Sequence, residues 1–227
     1  MQDMVCQCCS NKMEIIIDPK VFSCTQCGHV FRNFIINEKE YYQKYREISK
    51  PHENSKRLFF AQNLINLIGK YLRPHDSVLE LGSGDGVFAK FLSKKVKNVF
   101  CCELDSNLAN VTKQMGFITY NDHLLELNDS LRFDTVVAID VLEHIKDLRV
   151  FVDKFYDLAN RIIIQVPVSR AIHQNEPFDG HYHYFTQNSI SMLFQDKFNL
   201  VHLIEQTKRN SVANGPEMVA IFDKKES

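Results

Sequence analysis

A glycine-rich segment directly after an apolar run is the feature that most constrains how this chain can fold. Residues 78–81 form a strand-like apolar run, and the sequence Gly-Ser-Gly-Asp-Gly follows it at once at 82–86. A helical pattern then begins at Val87. Glycine lets the backbone turn sharply and leaves no Cβ in the way of a ligand. The pattern predicts a strand–turn–helix unit that binds a ligand at the carboxyl edge of a sheet.

Short apolar runs alternate with helical stretches through the rest of the chain. Strands buried on both faces read as near-continuous apolar runs, and their alternation with helices is typical of a parallel sheet. Such runs lie at residues 77–81, 98–102, 117–120, 135–139 and 161–166, with helices beginning near Val87, Ser106 and Asp147. A helix at 187–195 and two adjacent runs, 200–206 and 217–222, predict an antiparallel edge pair. The predicted fold class is α/β: a Rossmann-like, doubly wound, mostly parallel seven-stranded sheet with an antiparallel edge.

An acidic residue, Glu103, follows the second apolar run at the edge where a ligand is expected. A carboxylate at that point can accept hydrogen bonds from both ribose hydroxyls of an adenosine. The glycines are spaced G-x-G-x-G, whereas dinucleotide-binding dehydrogenases carry G-x-G-x-x-G. A turn without any ligand is the alternative interpretation of the glycines alone. The acid after the next strand argues against that alternative.

Two C-x-x-C pairs near the N-terminus predict a metal site. The candidate ligands are Cys6, Cys9, Cys24 and Cys27. Four thiolates from two tight turns complete a tetrahedral site, which favours structural zinc. Cys8 is an alternative to Cys9, and His29 is a weaker candidate ligand. Cys101 and Cys102 lie in a predicted buried strand, where free cysteine behaves as a small hydrophobic side chain.

Composition divides the chain into three parts and limits its environment. Residues 1–36 are predicted to be a zinc-binding module, residues 37–73 a helical connector or substrate cap, and residues 74–227 the ligand-binding domain. The formal net charge is −1, whereas proteins that bind nucleic acid usually carry an excess of basic residues. No segment is apolar for long enough to span a membrane, and the N-terminus lacks a secretory signal pattern. We therefore expect a cytoplasmic protein whose cysteines bind metal rather than form disulfides.

Several motifs together resemble class I S-adenosylmethionine-dependent methyltransferases, over residues 77–222. The motifs are the run at 80–86, Glu103, the sequence Asp-Val-Leu-Glu-His-Ile at 140–145, and His-Tyr-His-Tyr-Phe-Thr at 181–186. The resemblance is greatest to the small-molecule group that includes ubiquinone-pathway and sugar-modifying enzymes. It implies S-adenosylmethionine as cofactor, held by Glu80, Gly82, Ser83, Gly84, Gly86, Glu103, Leu104, Asn121, Asp122 and Asp140.

The same resemblance implies a catalytic cluster of acidic and histidine side chains, formed by Glu143, His144, His181 and His183. In one interpretation a histidine is the general base on a substrate hydroxyl. In a second, Asp140, Glu143 and His144 hold a second divalent metal, although Asp140 stands where metal-using relatives carry glutamate. In a third, Glu143 caps a helix and His144 orients neighbouring backbone. The sequence leaves all three open.

The resemblance implies methyl transfer to an oxygen, and less readily to a carbon, of a small metabolite. A nucleotide-activated or sugar precursor of a surface glycan is the implied acceptor, and no nucleic-acid partner is expected. The alternative is methylation of ribosomal or transfer RNA with the zinc module docked on RNA, which the basic stretch at 44–57 favours and the net charge opposes. A non-catalytic binding protein is a third alternative, which the intact glycine loop opposes.

Overall fold

The N-terminal part of the protein forms three short antiparallel strands. The structure, a computed structural model, describes residues 4–16, 20–33, 55–168, 180–206 and 217–226. Strands β1 (Glu14–Ile15), β2 (Val21–Ser23) and β3 (Val30–Arg32) pair in that order. Residues 34–54, which include about half of the predicted connector at 37–73, lie outside the described ranges. We call residues 4–16 and 20–33 the cysteine module.

Strands and helices alternate through the remaining described residues. In chain order they are α1 (Ser55–Ile68), a 3-10 turn (Gly69–Tyr71), β4 (Ser77–Leu81), α2 (Val87–Leu92), β5 (Asn98–Cys102), α3 (Ser106–Gln114), β6 (Ile118–Tyr120), β7 (Phe133–Ile139), α4 (Leu148–Leu158), β8 (Ala159–Pro167), β9 (His183–Tyr184), α5 (Gln187–Phe194), β10 (Phe198–Gln206) and β11 (Glu217–Lys224). Two further 3-10 turns span Leu124–Glu126 and Leu142–His144. Within the described residues, no helix is long and apolar enough to cross a membrane.

The large sheet has seven strands in the order β10-β11-β8-β7-β4-β5-β6. Strands β4 to β8 pair in parallel, whereas β11 runs antiparallel to both β8 and β10. This confirms the predicted doubly wound sheet with an antiparallel edge. The strand order reverses at β4, so the crevice beside its carboxyl end is the point where such folds bind ligands.

Apolar side chains on both faces of the sheet form two buried clusters. On one face, Leu79 and neighbouring strand residues pack with α4 and α5 residues such as Phe155 and Phe194. On the other face, Val78 packs with Leu64 of α1 and Leu92 of α2. Side chains along a strand point alternately to opposite faces, which places Val78 and Leu79 in different clusters. Because apolar side chains pack on both faces of the sheet, the loops at its carboxyl edge extend from well-packed strands.

The cysteine module joins the rest of the protein through a second sheet. Its order is β1-β2-β3-β9, where β9 follows the large sheet's strand β8 in the chain. Val30 pairs with Tyr184, and Phe31 pairs with His183. The sequence did not predict β9, because a two-residue strand has no periodicity of its own and depends on a distant partner. The pairing brings the cysteine module next to the histidine-containing segment.

Candidate functional site

The glycine loop after β4 makes a close approach to the loop after β7. Gly82 has a φ of +68°, in the left-handed region that glycine adopts without strain. A Cβ atom built there would lie 2.7 Å from the Val141 side chain. The Gly82 amide also donates to the Cys102 carbonyl at the end of β5, at 2.8 Å. Three carboxyl-edge segments therefore meet at this glycine, and a larger residue would push them apart.

Glu103 is buried at the edge of the glycine loop and oriented by backbone amides. Its Oε2 accepts from the Gly84 amide at 2.8 Å, and its Oε1 accepts from the Asp105 amide at 2.9 Å. Burial raises the pKa of the Glu103 carboxyl. A carboxylate offers about four lone-pair directions, so acceptor capacity remains for a diol. The orientation fits the ribose-binding role that the sequence predicts.

Buried polar atoms around the glycine loop lack hydrogen-bond partners within the described part of the chain. They are Glu80 Oε2 and Ser83 Oγ, on side chains that are almost fully buried. Burial, followed by repulsion from Asp85 and Glu103, raises the pKa of the Glu80 carboxyl well above its usual value. Buried polar groups are nearly always satisfied in native proteins. Both side chains are enclosed by protein at the base of the glycine loop, so they bear on the loop's shape rather than on its open edge.

Residues after β5 and β6 form the neighbouring wall. The Asn121 amide nitrogen donates to the Glu103 and Leu104 carbonyls at 2.8 and 3.0 Å, which fixes the turn after β5. The Leu104 side chain is exposed, as is Asp122. The Asn121 side chain is thus bound to the backbone. Among the predicted cofactor-binding residues of this wall, Asp122 and Leu104 are accessible to a ligand.

Asp140 follows β7 in a strained backbone conformation, with a φ of +52°. Its Oδ1 accepts from Gln165 Nε2 at 3.3 Å, and the same nitrogen donates to the buried Glu217 carboxylate at 3.1 Å. The Asp140 side chain reaches solvent but is surrounded by protein on its other sides, and this desolvation raises its pKa to about 6. Neither Gln165 nor Glu217 was predictable from the sequence, because strand pairing alone brings Gln165 next to Asp140 and Glu217 next to Gln165.

The structure brings Glu143, His144 and His181 into one cluster. One ligand-capable atom of each residue lies within 4.8 Å of the others, and the two imidazole rings are 4.6 Å apart. His144 Nδ1 lies 3.0 Å from the Gly180 carbonyl oxygen. Because a carbonyl can only accept, Nδ1 carries the proton and the Nε2 atom of the neutral ring does not. The cluster therefore contains an oriented imidazole that can take up a proton.

His183 occupies a different environment from His144 and His181. It is fully buried, and its Nδ1 lies 3.0 Å from His29 Nε2. Its Nε2 donates to the Ile145 carbonyl at 2.8 Å. Burial lowers the pKa of His183 to about 3, so the ring is neutral at physiological pH. The structure thus places His183 behind the predicted catalytic cluster, between that loop and the cysteine module.

The four predicted zinc ligands converge in the cysteine module. Their sulfur atoms all lie within 4.8 Å of one another. The Cys6–Cys27 and Cys9–Cys24 sulfur atoms are 3.6 and 3.4 Å apart. Zinc–sulfur bonds of about 2.3 Å in a tetrahedron place sulfurs about 3.8 Å apart, so the set fits zinc. Cys8 and His29 form a second group with Cys6, in which His29 Nδ1 lies 3.5 Å from the Cys6 sulfur.

Arg57 and Asp85 form an ion pair beside the glycine loop, which the sequence did not predict. The guanidinium of Arg57 binds both Asp85 carboxylate oxygens, at 2.8 and 3.0 Å. The Asp85 side chain is fully buried, whereas Arg57 remains partly exposed. Asp85 lies within the glycine run, and Arg57 lies in the first turn of α1. The acidic position inside the glycine loop was the only sequence signal for such a partner.

Comparison with known proteins gives one family and a large set of similar folds. Residues 52–203 match a family described as a methyltransferase domain. N-methyltransferase NodS from Bradyrhizobium japonicum WM9, in complex with S-adenosyl-L-homocysteine, has a TM-score of 0.65 and 16% identity, covering 82% of this chain and 98% of NodS. Magnesium protoporphyrin IX methyltransferase from Synechocystis PCC 6803, with bound S-adenosylmethionine, has a TM-score of 0.61 and 14% identity, covering 81% of this chain and 91% of that one.

A curated relative extends these comparisons to an RNA-modifying enzyme. Ribosomal RNA small subunit methyltransferase A from Fusobacterium nucleatum is 27% identical over 103 residues. That match covers 45% of this chain and 31% of the relative, so the chain spans less than a third of its length.

Proposed function

The chain belongs to the methyltransferase domain family, and we propose that it methylates an oxygen, less readily a carbon, of a small metabolite. It is an S-adenosylmethionine-dependent methyltransferase, in keeping with solved relatives that hold this cofactor or its product. The proposed acceptor is a nucleotide-activated or sugar precursor of a surface glycan, a class that the sequence resemblance implies. The small-molecule acceptor named for the magnesium protoporphyrin enzyme supports this size class.

The residues around the glycine loop fit the cofactor. Glu103 is oriented to accept from ribose hydroxyls, and Glu80 and Ser83 are proposed to belong to the same site. The other residues proposed to hold it are Gly82, Gly84, Gly86, Leu104, Asn121, Asp122 and Asp140. When bound, the cofactor supplies a methyl group already activated by a positively charged sulfur. The protein then has two tasks, to align the acceptor and to take up its proton.

The close approach of His144 and His181 at the carboxyl edge is the observation that carries the proposed chemistry. The Gly180 carbonyl holds His144 in the tautomer whose Nε2 can accept a proton. Glu143 lies beside both rings. Val141, in the same loop, contacts the glycine loop, which brings the cluster next to the cofactor site. We assign the base to His144 or His181, with Glu143 supporting the imidazolium that forms, and no proton transfer to His183.

A divalent metal is the alternative use of the same cluster. One carboxylate and two imidazoles are donors that divalent metals accept, and a bound metal would lower the pKa of an acceptor hydroxyl. The sequence suggested Asp140, Glu143 and His144 as this second metal site. The structure groups His181 with Glu143 and His144, whereas Asp140 contacts Gln165. Loss of turnover on chelation, with restoration by Mn²⁺ or Mg²⁺ but not Zn²⁺, would favour the metal over the base.

We further propose a structural zinc ion held by Cys6, Cys9, Cys24 and Cys27. Residues 1–36 would form the zinc module, residues 37–73 a connector, and residues 74–227 the catalytic domain. Four thiolates close the coordination sphere, so the metal contributes folding energy rather than a catalytic position. Thiolate ligands of this kind persist in reducing compartments, and we propose a cytoplasmic location on that ground.

RNA methylation is the second candidate function. The match to a ribosomal RNA methyltransferase favours it, although that match covers under half of this chain. The formal net charge of −1 opposes it, because phosphate binding requires positive surface. RNA binding would weaken steeply with rising ionic strength, which provides the discriminating observation.

Methyl-labelled S-adenosylmethionine tests the acceptor class directly. The purified protein is incubated with a small-molecule extract rich in nucleotide-linked metabolites and, separately, with total RNA. We expect label in the small-molecule pool, at an oxygen once the product is identified. Label confined to RNA would replace this proposal with the second candidate. Label at a nitrogen would contradict the oxygen acceptor.

A further inference from the structure

The loop after β7, residues 140–147, is attached to the cysteine module by a side chain from between two cysteines. Gln7 lies between Cys6 and Cys8. Its Nε2 donates to the Lys146 carbonyl at 2.9 Å, and its Oε1 accepts from the Leu148 amide at 2.7 Å. One amide group thus fixes the end of the loop and the start of α4. This contact ties the loop to the segment that carries Cys6, Cys8 and Cys9.

A line of buried imidazoles makes a second, independent attachment. The Ile145 carbonyl can only accept, so His183 Nε2 donates to it over the 2.8 Å distance. The Nδ1 atom of the neutral His183 ring is then an acceptor for the His29 Nε2–H, 3.0 Å away. His29 and His183 are both fully buried, so water does not compete for these hydrogen bonds. The line runs from the module into the middle of the loop.

Both attachments hold the backbone that directly follows the candidate catalytic residues, at Ile145, Lys146 and Leu148. Glu143 and His144 lie between Val141, which contacts the glycine loop, and Ile145. The Tyr182 amide also donates to the Glu143 carbonyl at 2.7 Å, and Tyr182 directly precedes His183. A one-ångström displacement of a catalytic group can lower a rate about 100-fold. The direction of the His144 ring therefore depends on how firmly this backbone is held.

We propose that the cysteine module positions the loop that follows β7, and that Gln7 and His183 are the positioning residues. The module would then act on methyl transfer without touching the cofactor. That consequence rests on the proposed function, whereas the attachment itself does not. If the module were only attached to the domain without positioning the loop, loss of any hydrogen bond between the two parts would affect the loop equally.

Asn188 provides the matched control for this distinction. Its side chain donates to the Gln26 carbonyl at 3.3 Å, which also joins the module to the catalytic domain. This contact involves α5 and not the loop. Asn188→Ala therefore removes a hydrogen bond between the same two parts of the protein while leaving both loop attachments in place.

Two conservative changes at His183 separate its two hydrogen bonds. An asparagine amide occupies roughly the position of Nδ1, within reach of His29 but too short for Ile145. A glutamine amide extends to roughly the position of Nε2 and can still donate to the Ile145 carbonyl. His183→Gln should therefore retain the bond to the loop, whereas His183→Asn should lose it.

The experiment measures amide hydrogen exchange in the full-length protein for peptides covering residues 141–148. The His144 and Ile145 amides are the informative ones, because they donate within the loop's own 3-10 turn. We expect about tenfold faster exchange in Gln7→Ala and His183→Asn, as the loss of about one hydrogen bond to the loop implies. His183→Gln and Asn188→Ala should exchange near the wild-type rate. Affinity for S-adenosyl-L-homocysteine should stay within twofold in all four variants.

Three results would overturn the proposal. The first is wild-type exchange in both Gln7→Ala and His183→Asn. The second is equal acceleration by Asn188→Ala, which would indicate general loosening of the module. The third is equal acceleration by His183→Gln and His183→Asn, which would remove the role of the Ile145 bond. Absence of any methylated product would count against the proposed function and leave these exchange results intact.

Discussion

The guanidinium of Arg57 lies in bidentate contact with the Asp85 carboxylate, 2.8 and 3.0 Å from its two oxygens. This contact connects the first turn of α1 to the glycine loop. Asp85 is fully buried and would otherwise carry an uncompensated charge beside Glu80 and Glu103. A positively charged partner from outside the sheet thus allows an acidic glycine loop to remain folded.

Replacement of Arg57 by alanine should destabilise the protein. The variant leaves the Asp85 carboxylate buried without its cation, and we expect a loss of about 2 kcal/mol in the free energy of unfolding. Arg57→Lys retains the charge but not the fork of two donors, so its loss should be smaller. Chemical denaturation of the three proteins measures the difference. Equal stability of Arg57→Ala and wild type would show that solvent already compensates Asp85.

Stability should respond to pH through Asp140. Its pKa of about 6 in the folded protein exceeds the value of about 4 in an unfolded chain. Between these pH values the folded state binds more protons than the unfolded state, so this contribution to stability falls as pH rises from about 4 to 6. Well above pH 6 the Asp140 carboxyl is ionised in both states, and the folded protein has lost this contribution to its free energy of unfolding completely.

The change Asp140→Asn isolates that contribution. Asparagine tolerates the positive φ and can still accept from Gln165, so only the charge is removed. We expect the variant to exceed wild type by about 1 kcal/mol at pH 7.5, a value reduced for the solvent screening of this accessible side chain, and to show no advantage at pH 4. Asp140→Ala, which adopts that φ poorly, should gain less. An advantage of Asp140→Asn that is equal at both pH values would contradict the raised pKa.

Zinc removal should unfold the cysteine module. We expect about one zinc ion per chain by elemental analysis, and rapid reaction of Cys6, Cys24 and Cys27 with a thiol reagent only after chelation, because these thiols are buried. Cys24→Ser should lower zinc retention, whereas Cys101→Ser, in the large sheet, should leave it unchanged. A metal-free protein whose thiols stay protected would contradict the zinc assignment.

Removal of the imidazoles at the carboxyl edge should separate turnover from cofactor binding. We expect His144→Ala or His181→Ala to lower turnover of the labelled acceptor by about 100-fold or more, because a positioned base contributes 10²–10⁴-fold. Affinity for S-adenosyl-L-homocysteine should stay within twofold. His75→Ala, at the exposed amino end of β4, is the control. Full turnover in both variants would show that neither histidine is the general base.

Much of the fold was predictable because its signals are local. The glycine run after an apolar strand, the alternation of strands and helices, and the edge pair all follow from residues near one another in the chain. The structure confirms the order of elements, with boundaries such as Phe133–Ile139 two residues longer than the predicted run at 135–139. The C-x-x-C pairs likewise brought four cysteines together as predicted.

The parts that were not predictable depend on contacts between distant segments. His181 and His183 lie two residues apart in the same motif, and nothing in the sequence distinguishes them. Pairing of β9 with β3 nevertheless buries His183 against His29. Gln165 connects Asp140 to Glu217 only because β8 lies between β7 and β11. A single sequence does not report which of two nearby histidines faces inward, because both satisfy the same spacing.

Equilibrium binding of S-adenosyl-L-homocysteine tests, without an acceptor, whether the glycine loop and Glu103 bind S-adenosylmethionine. Calorimetric titration should show one site per chain in wild type. Glu103→Ala removes the oriented carboxylate and should weaken binding at least tenfold, because hydrogen bonds to a charged group are worth about 1.5–3 kcal/mol. Glu126→Ala, in the 3-10 turn before β7, should bind as wild type does. No binding by the wild-type protein, or equal binding by Glu103→Ala, would show that the glycine loop and Glu103 do not form the cofactor site.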